Sequence, residues 1–182
     1  IIVLLLCFLP IASFAQKVGE TLPAWEEGYM DIHHINTGCG ECAYIILPDG
    51  TTMLIDAGEN KAGNPRHVSP KPNASRTPGE WIVDYIKTMA PVQKQKLDYA
   101  LITHFHSDHM GGVLKMKNES GRYYNTGIIT VAENLQIGML VDRGFPDYNF
   151  LVNTEDKMIK NYFNFLHFTK RKINVEQFVP GV

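Results

Sequence analysis

The chain has 182 residues, 45% of them hydrophobic and 20% charged, and a formal net charge of −2. That is the composition of an ordinary soluble globular protein, long enough for one core. The small net charge excludes bulk electrostatic attraction to nucleic acid or to a membrane surface.

Residues 1–15 read IIVLLLCFLPIASFA and carry no charge. The run is shorter than the roughly 20 apolar residues that a membrane-spanning helix needs. Ser13-Phe14-Ala15 has the small-x-small form that precedes signal-peptidase cleavage, and polar Gln16-Lys17 follow. The basic n-region and the initiating methionine are missing, so residues 1–15 read as an N-terminally incomplete signal peptide. The expectation is an exported protein, periplasmic or secreted, that begins at Gln16 and keeps no stable membrane association after cleavage. A buried strand or an uncleaved anchor is the alternative. Cys7 lies too early in the run for a lipoprotein cleavage site. Beyond the run remain Cys39 and Cys42, spaced C-x-x-C. In an exported protein they could form a disulfide, and a redox or metal role is the alternative.

Strands are expected at about 30–36, 42–48 and 51–56, with Asp49-Gly50 turning the second into the third. A Pro-, Asn- and Ser-rich loop covers about 59–76. It carries Lys61, Arg66, Lys71 and Arg76, and no acid lies between residues 61 and 79. It reads either as a solvated loop or as a basic lip that favours anionic substrates. His67 within it is expected in solvent. A helix should open at Pro78, with Thr77 as N-cap and Glu80 completing a capping box. Trp81, Ile82, Tyr85, Ile86 and Met89 then fall on one face.

Residues 97–102, LDYALI, form a short apolar run that reads as a buried strand. It feeds directly into Thr103-His104-Phe105-His106-Ser107-Asp108-His109-Met110-Gly111-Gly112, which places three histidines and one aspartate within six residues. Side chains at i and i+2 share a face of an extended segment, so His104 and His106 can converge on one metal ion. Asp108 and His109 follow where the chain turns and can reach a second. Gly111 and Gly112 let the backbone turn tightly. The cluster contains no cysteine and mixes imidazole with carboxylate, which favours a hydrolytic site over a closed structural one. A histidine-rich turn without metal is the alternative.

Further on, residues 138–141 suggest a strand ending at Asp142-Arg143-Gly144, and Pro146-Asp147-Tyr148-Asn149 a turn. Residues 154–168 have helical periodicity, with Thr154 as cap and Met158, Ile159, Tyr162, Phe163 and Leu166 facing the core. Lys170-Arg171-Lys172 follow that helix, where cations are favourable. His167 reads as a surface or half-buried histidine. No internal repeat or second domain is apparent.

H-x-H-x-D-H followed by Gly-Gly resembles the signature of the metallo-β-lactamase-fold hydrolases. The resemblance implies an α/β protein, a four-layered αβ/βα sandwich with a binuclear metal site at one sheet edge. His34-Ile35-Asn36-Thr37-Gly38-Cys39-Gly40-Glu41, Leu47-Pro48-Asp49-Gly50 and Met53-Leu54-Ile55-Asp56-Ala57-Gly58 are similar to the opening strands of the ComEC-type DNA-uptake branch. Asn36, Cys39 and Glu41 depart from it, standing where that branch usually has aspartate, glutamine and aspartate. The resemblance places Cys39 and Cys42 at a glycine turn, which favours a structural role. It makes His33 and His34 structural as well. Asp56 ends a strand beside the motif strand and is read as orienting the metal loop through hydrogen bonds.

The implied cofactor is Zn2+, two ions, with other divalent metals as alternatives. His104 and His106 would hold one, and Asp108 and His109 would help hold the other. Asp108 would also act catalytically by orienting the nucleophile or handling its proton. The family further uses a bridging aspartate and a late histidine downstream. Asp142 is weighed as that bridge against a turn or substrate-loop residue. The expectation is therefore a domain over 16–182 that is C-terminally incomplete, truncated to roughly the first half of the sandwich and a little more. The function expected is that of a metal-dependent hydrolase acting through an activated water on a small-molecule or phosphodiester substrate, with nucleic acid a partner only as substrate. A β-lactam, lactone or other ester hydrolase is the alternative within enzymes. A non-catalytic remnant with weak metal binding is the alternative outside them.

Overall fold

The computed structural model describes residues 18–38, 40–59, 65, 68–69, 71–92, 94, 96–112, 116–149, 153–169, 172–179 and 181. The signal-peptide expectation for residues 1–15 lies outside these residues, as do Cys39, Lys61, Arg66, His67, Lys170 and Arg171. Among the described residues no helix is long and apolar enough to cross a membrane.

Three strands open the described chain: β1 Asp31–His34, β2 Ala43–Ile46 and β3 Thr52–Ile55. They form an antiparallel meander, and the β2–β3 turn is closed by Leu47 N–H donating to Thr51 O at 2.8 Å and by Thr51 N–H donating to the Asp49 carboxylate at 2.8 Å. From there the chain changes style. α1 Pro78–Met89 returns it to β4 Lys96–Ile102, which pairs parallel with β3. A single turn, α2 Ser107–Met110, and a small hairpin of β5 Met116–Lys117 with β6 Tyr124–Asn125 follow. α3 Gly127–Asn134 leads to β7 Gln136–Asp142, parallel to β4, and α4 Lys157–Thr169 leads to β8 Asn174–Gln177, parallel to β7. The six-stranded sheet runs β1-β2-β3-β4-β7-β8. A parallel neighbour requires a crossover, and here each crossover contains one of the longer helices. The architecture is the mixed α/β sheet-and-helix fold that the resemblance implies.

Register decides which side chains meet the helices. His33, Tyr44, Leu54, Ala100 and Leu140 lie in line across five strands and are all buried. Tyr85 of α1 meets His33 on this face, and Tyr162 of α4 reaches Asp142. Ile82, Val83 and Ile86 of α1, Ile128, Ile129 and Val131 of α3, and Ile159, Tyr162 and Phe165 of α4 complete the core. Burying each large apolar side chain contributes about 1.5–3 kcal/mol, so this face supplies most of the driving force. On the opposite face Ile32, Ile45, Met53, Tyr99 and Met139 line up and remain partly or largely exposed.

The helices correct some details. α1 begins as expected: Thr77 Oγ1 accepts from Glu80 N–H at 3.3 Å, and the Glu80 carboxylate accepts from Thr77 N–H at 2.7 Å. Its buried stripe, however, includes Val83, while Trp81 and Tyr85 sit at its flanks. α4 starts at Lys157, and its cap is Asp156 rather than Thr154. The Asp156 carboxylate accepts from Met158 N–H at 2.7 Å and Ile159 N–H at 3.3 Å, satisfying two N–H groups of the first turn. α3 was not expected, because GIITVAEN is rich in β-branched residues and reads locally as extended. Packing of Ile128, Ile129 and Val131 in the core overrides that preference.

Candidate metal centre

Strands β3, β4 and β7 run parallel, so their C-terminal ends open at one edge of the sheet, where the loops of parallel sheets build sites. The three exits are Asp56 to Glu59, Thr103 to Met110, and Asp142 onward. Backbone bonds knit the first two together. Ala57 N–H donates to His109 O at 2.7 Å, Glu59 N–H to Ser107 O at 3.0 Å, and Glu41 N–H to Asp108 O at 2.8 Å. Glycine is needed for this approach: a Cβ on Gly58 would run into the Asp108 carbonyl, and one on Gly40 would lie 2.7 Å from the same oxygen. Gly111, at φ +92°, then turns the chain against the backbone of Gly127.

Within the motif, side chains alternate. Phe105 points into the core, with its ring 5.7 Å from that of Tyr162 and 5.8 Å from that of Tyr148. His104 and His106 point the other way, ring centroids 4.7 Å apart, with His104 Nε2 and His106 Nδ1 at 3.1 Å. The His109 ring lies 3.8 Å from that of His104, and its Nε2 faces Asp108 Oδ2 at 3.9 Å. The structure thus brings His104, His106, Asp108 and His109 to one rim. Burial, and next the neighbouring His109 and His106, hold the His104 imidazole below its ordinary range.

Beneath the rim sits Asp56, fully buried. Its Oδ1 accepts from Thr103 N–H at 2.8 Å, and its Oδ2 accepts from Thr103 Oγ1 at 2.7 Å and faces His109 Nδ1 at 2.8 Å. Asp56 has φ +59°, a left-handed conformation unusual outside glycine, which costs on the order of 1–3 kcal/mol. The hydrogen bonds to Thr103 and His109 hold it there. The expected orienting role is what this geometry provides. Thr103 was missed as a site residue. Its only sequence signal is its place immediately before the first histidine.

Asp142 is not a bridging ligand in this arrangement. It is fully buried and accepts from Gly144 N–H, Phe145 N–H and Tyr148 Oη, each at 2.8 Å, and from Tyr162 Oη at 2.7 Å. Those four donors fill the lone-pair sites of a carboxylate. Asp142 is a turn residue that fixes the exit of β7. Burial, with Asp142 close by, pushes both tyrosine hydroxyls up, so they stay donors at neutral pH.

The remaining candidates have bland surroundings. His33 is buried with Nδ1 3.0 Å from Tyr85 Oη, and His34 is exposed, 4.0 Å from Glu41. Cys42 is buried. Burial, then Asp56 and Glu41, push its thiol up, which suits a packing residue. His167 is exposed beside Phe168. Arg76 does not contribute a free cation to a basic lip. It pairs with Asp84 and lies 5.2 Å over the Trp81 ring, both on α1. Lys71 is exposed.

Three imidazoles and a carboxylate form a donor set that suits zinc or a similar divalent ion. With the side chains as they stand, no group of three or more His, Cys, Asp or Glu among the described residues closes around a point that an ion would occupy. No curated protein matches the chain. Residues 36–121, which contain every side chain of this rim together with Asp56 and Thr103, match the family model described as the metallo-beta-lactamase superfamily.

Proposed function

We propose that the protein is a metal-dependent hydrolase, with zinc, two ions, at the rim formed by His104, His106, Asp108 and His109. The observation that carries this reading is the convergence of three imidazoles and one carboxylate at the C-terminal end of β4, in a segment that matches the metallo-beta-lactamase superfamily. When bound, the metal would supply Lewis acidity and a water that is nucleophilic at neutral pH.

The chain's own residues do the rest. His104 and His106 would hold one ion, and His109, with Asp108, would help hold the other. Asp108 is 47% exposed at its side chain, so it can reach incoming water, orient it and take its proton. Asp56 and Thr103 keep the rings in place from below. The substrate proposed is a phosphodiester, on two grounds: residues 31–58 resemble the DNA-uptake branch, and the loop after β3 carries cations, of which Lys71 is exposed. We also propose export, on the apolar run 1–15 and Ser13-Phe14-Ala15; N-terminal sequencing of protein from the native host should then begin at Gln16.

The metal reading is tested by His106→Ala. Bound zinc, measured by elemental analysis after equilibrium dialysis, should fall by at least half, and phosphodiesterase turnover should disappear. Undiminished metal content in that variant would overturn the assignment. Turnover of a β-lactam or lactone with none of a phosphodiester would overturn the substrate alone.

A further inference from the structure

We infer that Glu59 is a positioning residue that ties the turn carrying Asp108 and His109 to the helix layer behind it. The turn has little of its own to hold it. α2 is a single turn, and no side chain caps its N-terminus. Among the described residues, three backbone donors hold it from outside: Ala57 N–H to His109 O at 2.7 Å, Glu41 N–H to Asp108 O at 2.8 Å and Glu59 N–H to Ser107 O at 3.0 Å. Of these donors, Ala57 has no polar side chain to anchor it, and the Glu41 side chain is exposed. Glu59 is 1% exposed, so its carboxylate is committed to the interior.

The first turn of α1 explains where that carboxylate goes. A helix begins with N–H groups that lack intrahelical partners. Pro78 has no N–H. Glu80 N–H donates to Thr77 Oγ1 at 3.3 Å, and Trp81 N–H to Thr77 O at 3.0 Å. Gly79 N–H is left over, and the Glu59 carboxylate accepts it at 3.3 Å, from 20 residues upstream. The positive end of the helix dipole favours a carboxylate at this place. α1 is itself fixed there: a Cβ on Gly79 would lie 2.8 Å from Thr130 Cβ and 3.2 Å from Gly127 O, so its first turn is pressed against α3. One residue thus spans the two layers, with its side chain on α1 and its own N–H on the motif. Asp56 orients the His109 ring, whereas Glu59 places the backbone that carries it.

The effect on zinc rests on the metal-centre reading above; the backbone coupling does not. Amide exchange of the whole chain, metal-free and followed by 1H–15N spectra, reads the coupling at Glu41, Ala57, Glu59 and Gly79. Competition with a chromophoric chelator reads zinc affinity. Glu59→Ala removes the acceptor. Glu59→Asp, one methylene shorter, withdraws it from Gly79 and serves should the alanine variant not fold. Glu59→Gln keeps an accepting oxygen of the same reach. Ile137→Val, buried at the opposite end of the sheet, supplies a general loss of stability that should speed all amides alike. In Glu59→Ala or Glu59→Asp the four amides should speed up at least roughly tenfold more than those of β7. Zinc affinity should fall about tenfold, the low end of the range for groups that support metal ligands from behind. Glu59→Gln should restore both. The inference is overturned if Gly79 alone is released, if Ile137→Val frees the same four amides selectively, if Glu59→Gln restores nothing, or if the loosened turn binds zinc as tightly as wild type. Wild type that takes up no zinc while showing this exchange pattern would defeat the proposed function and leave this inference standing.

Discussion

Asp56 and His109 are 53 residues apart in sequence and 2.8 Å apart in space. The contact joins the exits of two parallel strands, β3 and β4, and it explains why a non-glycine residue tolerates φ +59°. Asp56→Ala should destabilise the fold by roughly 1–3 kcal/mol, because Thr103 N–H, Thr103 Oγ1 and His109 Nδ1 all lose a fully buried acceptor. Asp56→Asn tolerates the same backbone conformation and keeps one oxygen, so it should cost about half as much. Chemical denaturation separates the two. Equal losses would show that backbone conformation, not acceptor count, governs this residue.

A second buried carboxylate, Asp142, predicts the opposite split between stability and metal. Tyr162→Phe removes one of its four donors inside the core, which should cost about 1–3 kcal/mol. Zinc uptake should stay at the wild-type level, because Asp142 holds the β7 exit and not an ion. Unfolding curves and elemental analysis on the same preparation check both halves. Loss of zinc from a folded Tyr162→Phe protein would return Asp142 to the ligand set.

How legible this was in the sequence depends on where the information sits. Local signals were readable: the capping box of Thr77 and Glu80, the Asp49-Gly50 turn, and the motif strand with its histidines. Signals that exist only after folding were not. Nothing in GIITVAEN distinguishes a core helix from a strand until α1 and the sheet are there to pack against. The tyrosines around Asp142 come from a turn and from α4, and no spacing announces their meeting. Arg76 looked like part of a basic loop because its acidic partner, Asp84, lies nearly two turns inside the next element. Thr103 was in plain view, but its role needs Asp56, which is 47 residues away.

His33 gives a pH prediction that does not involve the rim. It is buried on β1, with Tyr85 at 3.0 Å, the Tyr44 ring beside it and Asp31 at 4.0 Å. Burial lowers its pKa, and Asp31 only partly opposes that. A depressed pKa means that the folded state prefers the neutral ring. Above the unfolded value near 6.5 both states are neutral and this contribution is fully present. As pH falls below it, the unfolded chain takes the proton first, and the contribution is lost until the folded pKa is passed. Wild type should therefore lose more stability between about pH 6.5 and 5 than His33→Gln does. Parallel losses in the two proteins would place the acid sensitivity elsewhere.

The substrate reading separates two cations that the sequence presents as equals. Arg76 is committed to Asp84 and Trp81 at the start of α1, whereas Lys71 is exposed in the loop that follows β3. If that loop steers an anionic substrate to the rim, Lys71→Gln should raise KM for a phosphodiester about two- to five-fold and flatten its dependence on salt, with kcat unchanged. Arg66, in the same loop, should add to the effect when neutralised with Lys71. Arg76→Gln should instead act on stability, by no more than about 1 kcal/mol for an exposed ion pair with a stacked guanidinium, and leave KM alone. The measurement is a set of steady-state curves at low and high ionic strength for the three variants. A KM that responds to Arg76 and not to Lys71 would mean that substrate approaches over α1, and the basic loop would then be a solvated connection without a part in binding.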